Sequence, residues 1–316
     1  MNFYKLFAAL YAVSAVSAGQ PALGFDLQGH RGARGLAPEN TLAAFKAGIA
    51  VGVTTLELDL AMTKDGVLVV SHNPALNPDI TRINGAFITK AEPYIRDMTF
   101  AELTRYDVGR IKPNTPYARA FSQQSPIDGA GIPKLTDVLA LAAANKAIRF
   151  NIETKITPTS GTQTPDPEKF TRSLVDAVRA AGLISRVSIQ SFDWRTLKIA
   201  AVIAPELPRV CLTSEHSEFN TVKDGSWTAG LRLVDFGGSV PKLVAAQGCS
   251  TWSPQYRDVS AQRVAEAKAL GLKVIPWTVN EVSDAERLVG MGVDGLITDF
   301  PDRMMVVIRE KGLVLK

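Results

Sequence analysis

The amino-acid sequence predicts an α/β fold, a TIM (β/α)8-like barrel with a small insertion over residues 73–133. Three observations predict it. Short apolar β-type runs alternate with helical segments along most of the chain, which argues for a parallel sheet with helices outside. Nine such runs can be counted, one more than the eight a barrel uses. The surplus run is the second arm of a hairpin, and a tight turn makes it antiparallel to its neighbour. A doubly wound open sheet is the competing arrangement.

Taken in order, the first strand covers 25–28 and ends in Gly29-His30-Arg31-Gly32. A glycine-rich turn leads to Pro38-Glu39-Asn40-Thr41, where Asn40 or Thr41 can cap a helix over 42–51. Leu42, Phe45 and Ile49 keep helical spacing within it. Two apolar arms, 56–60 and 67–72, then flank Thr63-Lys64-Asp65-Gly66, and Asp-Gly is a strong hairpin signal. Folded about Lys64 and Asp65, this hairpin sets Glu57 opposite His72. Residues 73–133 are rich in Pro, Gly, Asn and Ser, with one helical patch at 99–106. That is too long for an ordinary loop and reads as an insertion over a functional face. Helices at 136–145, 167–181, 195–203, 261–270 and 282–291 follow. They alternate with strands at 148–154, 187–191, 209–213, 250–252, 273–277 and 295–298. A looser region, 214–248, holds one helix near its end.

Composition narrows the partners. A chain of 316 residues with 46% hydrophobic content has ample core material, enough for one large α/β domain or two small ones. The net charge of +4 is mild and the basic residues form no run, which argues against nucleic acid and for a small anionic substrate. Residues 1–24 read as a cleavable signal peptide: Lys5 precedes an apolar run over 6–18, and Val16-Ser17-Ala18 or Ala22-Leu23-Gly24 can be cut. The expected mature chain, 25–316, is then secreted or periplasmic. No later apolar run reaches membrane length, so no stable membrane insertion is expected. The two cysteines, Cys211 and Cys249, suit one disulfide or two buried thiols, and both readings stay open.

The chemistry sits at strand ends. His30 and Arg31 end the first strand, Glu57 and Asp59 the second, Asn151, Glu153 and Lys155 another, and Gln190, Trp277 and Asp299 later ones. A TIM barrel gathers such positions on its C-terminal face, turning scattered residues into one pocket. Glu57, Asp59 and Glu153 form an all-oxygen set suited to a hard divalent cation, Ca²⁺ or Mg²⁺, rather than zinc. The structural alternative is an ion-pair network with Arg31 and Lys155. His30 and His72 can serve as a general base and a general acid, whereas His216 lies in a polar loop and reads as a surface residue. Arg31 and Lys155 supply fixed positive charge for a phosphate, and Trp277 reads as a pocket wall. Metal, histidine pair and cations together describe phosphodiester cleavage. Asp235-Phe236-Gly237 imitates a kinase element without its partners and reads as a turn.

These residues resemble the glycerophosphodiester phosphodiesterase family. The matching pieces are Gly29-His30-Arg31-Gly32 with Pro38-Glu39-Asn40-Thr41, Glu57-Leu58-Asp59, Val70-Ser71-His72, Ile152-Glu153-Thr154-Lys155, Ser191-Phe192, Pro276 to Asn280, and Asp294 to Asp299 before Pro301. The resemblance implies a TIM-like barrel with an insertion after the second histidine. It implies hydrolysis of glycerophosphodiesters to glycerol 3-phosphate and an alcohol. It further implies a divalent metal at Glu57, Asp59 and Glu153, acid/base roles for His30 and His72, and phosphate contacts from Arg31 and Lys155. An exported member resembles the periplasmic, often Ca²⁺-dependent branch, so Ca²⁺ is the favoured ion. One departure stands out: the family's usual His-Asp is His72-Asn73 here, which removes a charge beside the second histidine. Two rival readings are a phosphodiesterase for lysophospholipids or sugar phosphodiesters, and a non-catalytic surface binding protein.

Overall fold

The structure, a computed structural model, describes residues 24–316. The signal peptide expected over 1–24 therefore lies outside the described residues, save for Gly24. Eight parallel strands carry the fold: β1 (Asp26–Gly29), β2 (Thr55–Met62), β4 (Arg149–Thr154), β5 (Val187–Ser191), β6 (Arg209–Thr213), β7 (Thr251–Pro254), β8 (Lys273–Val274) and β9 (Gly295–Thr298). Each pairs in parallel with its neighbour in the order β8-β7-β6-β5-β4-β2-β1-β9. The two ends of that sheet meet: the Asp294 N–H donates to Val274 O (2.8 Å) and the Ile297 N–H to Pro276 O (2.9 Å). The result is a nearly closed barrel with helices outside. The ninth strand, β3 (Leu68–Val70), pairs antiparallel with β2, as the hairpin reading expects.

β2 shows why these sequences make barrel strands. It is buried along its whole length. Leu56, Leu58 and Leu60 pack into the main core beneath the helices, while Glu57 and Asp59, two apart, share the opposite face. Helix Leu42–Val51 starts at Thr41, whose hydroxyl accepts from the Ala44 N–H, and ends at Gly52 with φ 100°, so Thr41 rather than Asn40 is the cap.

Several details differ from expectation. The hairpin pairs Leu60 with Val70 and places Ser71 against Asp59, so Glu57 falls one residue out of line with His72. The turn is centred on Asp65: Gly66 takes φ 82° and Thr63 bonds Val67, a three-residue loop instead of a two-residue one. The helix expected over 136–145 is two short pieces, Leu135–Leu139 and Leu141–Ala144. The helix expected from 195 starts at Trp194, because the Asp193 carboxylate accepts from the Arg195 N–H. The insertion holds more than one helical patch. Arg82–Ile83 pairs with Ala86–Phe87 and with Tyr106–Asp107, and a second helix covers Pro116–Ala120. Two-residue strands carry no readable alternation. The insertion rests on its own small core, where Leu76, Ile95, Met98 and Leu103 pack against Ala61 and Val69 of the hairpin.

Cys211 and Cys249 are joined in a disulfide, with Cα atoms 5.9 Å apart. It ties β6 to the turn before β7. Thiol titration of the unreduced, unfolded protein should therefore find no free thiol. Closing a loop of 38 residues is worth about 4 kcal/mol in the chain-entropy account, so Cys211→Ser with Cys249→Ser should lower stability by an amount of that order.

The barrel interior is polar along one line. The Gln28 side-chain amide donates to Asp26 (3.1 Å), and Asn151 Nδ2 donates both to Gln28 Oε1 (2.9 Å) and to Gln190 Oε1 (2.8 Å). Gln190 Nε2 in turn donates to Glu57 Oε1 (2.7 Å). This chain runs from the N-terminal mouth of the barrel to the cleft at its C-terminal mouth.

Candidate active site

Nine of the residues singled out from the sequence line one cleft of about 240 Å³: His30, Arg31, Glu57, Asp59, His72, Glu153, Lys155, Gln190 and Trp277; Asn151 lies below it in the barrel interior and Asp299 behind His30. They arrive from separate strand ends, which is why local sequence shows no cluster while the barrel makes one. Glu57, Asp59 and Glu153 each bring a carboxylate oxygen within 4.8 Å of the others, and all three are buried. Arg31 pairs with Glu39 (2.8 Å) and lies 3.5 Å from Asp59. Lys155 pairs with Glu153 (2.9 Å) and lies 3.8 Å from Asp59. Gln190 touches Glu57 directly, and Trp277 is held by its indole N–H on Ser253 O (3.0 Å). His216 sits exposed in a hairpin of Glu215–His216 with Phe219–Asn220 and does not line the cleft.

Three buried carboxylates face two cations, and the imbalance shows in their titration. Burial, then the charges of Asp59 and Glu153, hold the Glu57 carboxyl well above its ordinary range. Burial chiefly, with Asp59 adding to it, pushes Glu153 up to about 7 against the pull of Lys155. Burial also opposes ionisation of Asp59, but the fields of His72, Lys155 and Arg31 overcome it and hold that carboxylate far down. Bringing a cation into such a cluster relieves the repulsion. The donor set, three carboxylate oxygens without sulfur, fits a hard divalent ion. Among the described residues Arg31 Nε is buried without a hydrogen bond and faces Asp59 Oδ2 at 3.5 Å.

The histidines differ. His30 Nδ1 lies 2.6 Å from Asp299 Oδ1, while its Nε2 lies 4.0 Å from Glu57. Asp299 is held by Arg34 through both oxygens (2.8 and 3.0 Å) and by Asn280 Nδ2 (2.8 Å). Among the described residues His72 Nδ1 has only the side chain of its neighbour Asn73, at 3.2 Å. Burial lowers both imidazoles; Arg34 adds to this at His30, and Arg31 and Lys155 at His72. Arg34, Glu39, Asn40 and Asn280 were not picked out from the sequence as site residues. Asn40 Nδ2 donates to Asp59 (3.0 Å), so both it and Arg34 act on groups that were. The signal for Arg34, Glu39 and Asn40 was present in the run from Gly29 to Thr41 and that for Asn280 in the run from Pro276, but nothing local separates a helix cap from a carboxylate partner.

A parallel barrel with a carboxylate cluster, two histidines and two cations at its C-terminal mouth has the chemistry of a phosphodiesterase, and the carboxylate trio is compatible with a divalent cation. The comparisons narrow this. The model of the glycerophosphoryl diester phosphodiesterase family matches residues 30–303. The glycerophosphodiester phosphodiesterase of Caldanaerobacter subterraneus is 30% identical over 284 residues, covering 90% of this chain and 97% of that one. The one from Bacillus subtilis is 28% identical, covering 86% and 83%. A solved structure of a glycerophosphoryl diester phosphodiesterase from Silicibacter pomeroyi is 36% identical with a TM-score of 0.84, covering 94% and 97%. A phosphodiesterase from Oleispira antarctica, solved with the product sn-glycerol-3-phosphate, has a TM-score of 0.66 at 22% identity, covering 90% and 97%. The chain belongs to the glycerophosphoryl diester phosphodiesterase family. It is thus an enzyme that hydrolyses glycerophosphodiesters. Among the described residues no helix is long and apolar enough to cross a membrane.

Proposed function

We propose that the chain cleaves glycerophosphodiesters to sn-glycerol 3-phosphate and an alcohol in a metal-dependent reaction, with His30 and His72 as the acid/base pair. The observation that carries this reading is the buried trio Glu57, Asp59 and Glu153, drawn within 4.8 Å beside both histidines. A divalent cation held there, Ca²⁺ by preference, would offset charge on the non-bridging phosphate oxygens. Arg31 and Lys155 bind the same phosphate from the protein side. Gln190, through Glu57, fixes the orientation of one carboxylate, and Trp277 walls the pocket.

The glycerol hydroxyl next to the phosphoester is the nearest nucleophile to phosphorus. Holding it in line makes the attack intramolecular, which can contribute roughly 7–11 kcal/mol. His30 takes the proton of that hydroxyl, and Asp299 stabilises the imidazolium that forms. The new P–O bond closes a cyclic phosphate as the bond to the alcohol breaks, and His72 gives the alcohol its proton. Water then opens the ring: His72 removes its proton, and His30 returns one to the glycerol oxygen. Diesters with the free neighbouring hydroxyl should therefore turn over well, and a diester lacking it poorly. Equal rates on the two would rule out the cyclic route in favour of direct attack by water.

The leader read over residues 1–24 and the Cys211–Cys249 bridge support an exported, secreted or periplasmic, protein acting on small molecules outside the cytosol. N-terminal sequencing of the protein from its native compartment should begin after Ala18 or Gly24. An uncut chain in the cytosol would refute export.

A further inference from the structure

Next to the catalytic cleft lies a second chamber of about 410 Å³, which no step above uses. His72, Glu153, Lys155, Phe192 and Trp277 line both, so the two spaces are continuous. Asn73, Thr157, Ser160, Gln163 and Thr164 give it polar lining, and its largest walls are aromatic. The Phe192 ring meets Trp277 edge-on at 5.2 Å and Phe219 at 5.1 Å, and Phe219 meets Trp227 at 5.5 Å. Phe219 and Trp227 come from the excursion after β6, not from the barrel. Phe219 is 38% exposed, an aromatic ring facing the chamber mouth with its apolar surface uncovered.

We infer that this chamber is the leaving-alcohol subsite and that it favours an uncharged alcohol with a bulky apolar body. The inference rests on the hydrolytic reading above. His72 stands on the wall between cleft and chamber, where the proton donor for a departing alkoxide belongs. Aromatic walls could also suit a quaternary ammonium, but the charges oppose it. The Lys155 ammonium already lies 5.7 Å over the Phe192 ring, and Glu153, the one carboxylate lining the chamber among the described residues, is engaged by that same lysine at 2.9 Å. A second cation would meet Lys155 with no free counter-charge, whereas an apolar group displaces water from the rings.

The test compares sn-glycero-3-phosphate esters of ethanol, 2-cyclohexylethanol and choline, with Ca²⁺ or Mg²⁺ present. Each buried methylene can be worth up to about fourfold in binding. The cyclohexylethyl ester should exceed the ethyl ester at least tenfold in kcat/KM, mainly through KM, and the choline ester should not. Phe219→Ala and Trp227→Ala should narrow that preference about tenfold. A binding measurement stands apart from turnover: 2-cyclohexylethyl phosphate should perturb tryptophan fluorescence at concentrations where ethyl phosphate does not, and Phe219→Ala should weaken it. Absent turnover with intact cyclohexylethyl selectivity in binding would refute the hydrolytic reading and keep the subsite. Equal binding of the two phosphates, a preference untouched by either variant, or a choline ester favoured over both others would overturn the subsite as stated.

Discussion

His30→Ala and His72→Ala are each expected to lower kcat/KM on glycerophosphocholine by about 10²–10⁴-fold, the range typical of a lost general acid or base. His216→Ala should leave it unchanged, because that ring lies exposed outside the cleft. The two losses should also differ in kind. His30 is locked by Asp299, itself clamped by Arg34 and Asn280, so Asp299→Asn should lower activity while leaving the histidine in place. Among the described residues His72 Nδ1 meets a side-chain partner only in Asn73, and Asn73→Asp should shift the pH profile by favouring the protonated ring. A His216→Ala loss equal to the other two would show that the pocket has been wrongly assigned.

Chelation should abolish turnover, and Ca²⁺ or Mg²⁺ added back should restore it. Glu57→Gln, Asp59→Asn and Glu153→Gln should each lose activity while remaining folded. A second readout is independent of the reaction. A cation that binds only the folded chain raises its stability, by about 2.7 kcal/mol at a hundredfold excess over Kd. The native protein should therefore melt higher with the ion, and the three variants should lose most of that gain. Glu57→Gln is the most telling. Its carboxyl sits under the repulsion of Asp59 and Glu153, so its neutral replacement relieves charge but turns an amide nitrogen toward one of its two donors, the Arg31 N–H or Gln190 Nε2; it should lose most of the response to the ion. Full activity after thorough chelation would sink the metal role.

Much of this was legible in the sequence because a barrel converts strand-end position into shared location. Glu57 and Asp59 could be placed on one face by the two-residue period alone, and Glu153 and Lys155 by the same rule on their own strand. Where period fails, so did reading. The two-residue strands at Arg82–Ile83 and Ala86–Phe87 are too short to show alternation. The hairpin register turned on the left-handed backbone at Gly66, which adds one residue to the loop. Arg34 looked like one charge in a glycine-rich turn, and only the folded barrel brings Asp299 from the far end of the chain to meet it. The aromatic chamber was equally hidden, since Phe192, Phe219, Trp227 and Trp277 come from three unrelated loops.

The line of side chains through the barrel obeys a rule of parity. It begins and ends on a carboxyl group, Asp26 at one mouth and Glu57 at the other, so both terminal amides must turn their nitrogens outward. That leaves two carbonyl oxygens facing the middle, and only a group with two hydrogens to give can satisfy both. Asn151 is that group, and its own carbonyl is engaged by the Ser188 hydroxyl (2.8 Å). Aspartate has the same size but no hydrogen to donate when ionised. At position 151 it would force both glutamines to rotate and set their oxygens against Asp26 and Glu57. Replacement in this layer is thus governed by the direction of hydrogen bonds more than by volume, and the far mouth of the barrel cannot drift in sequence without disturbing a cleft carboxylate at the other end.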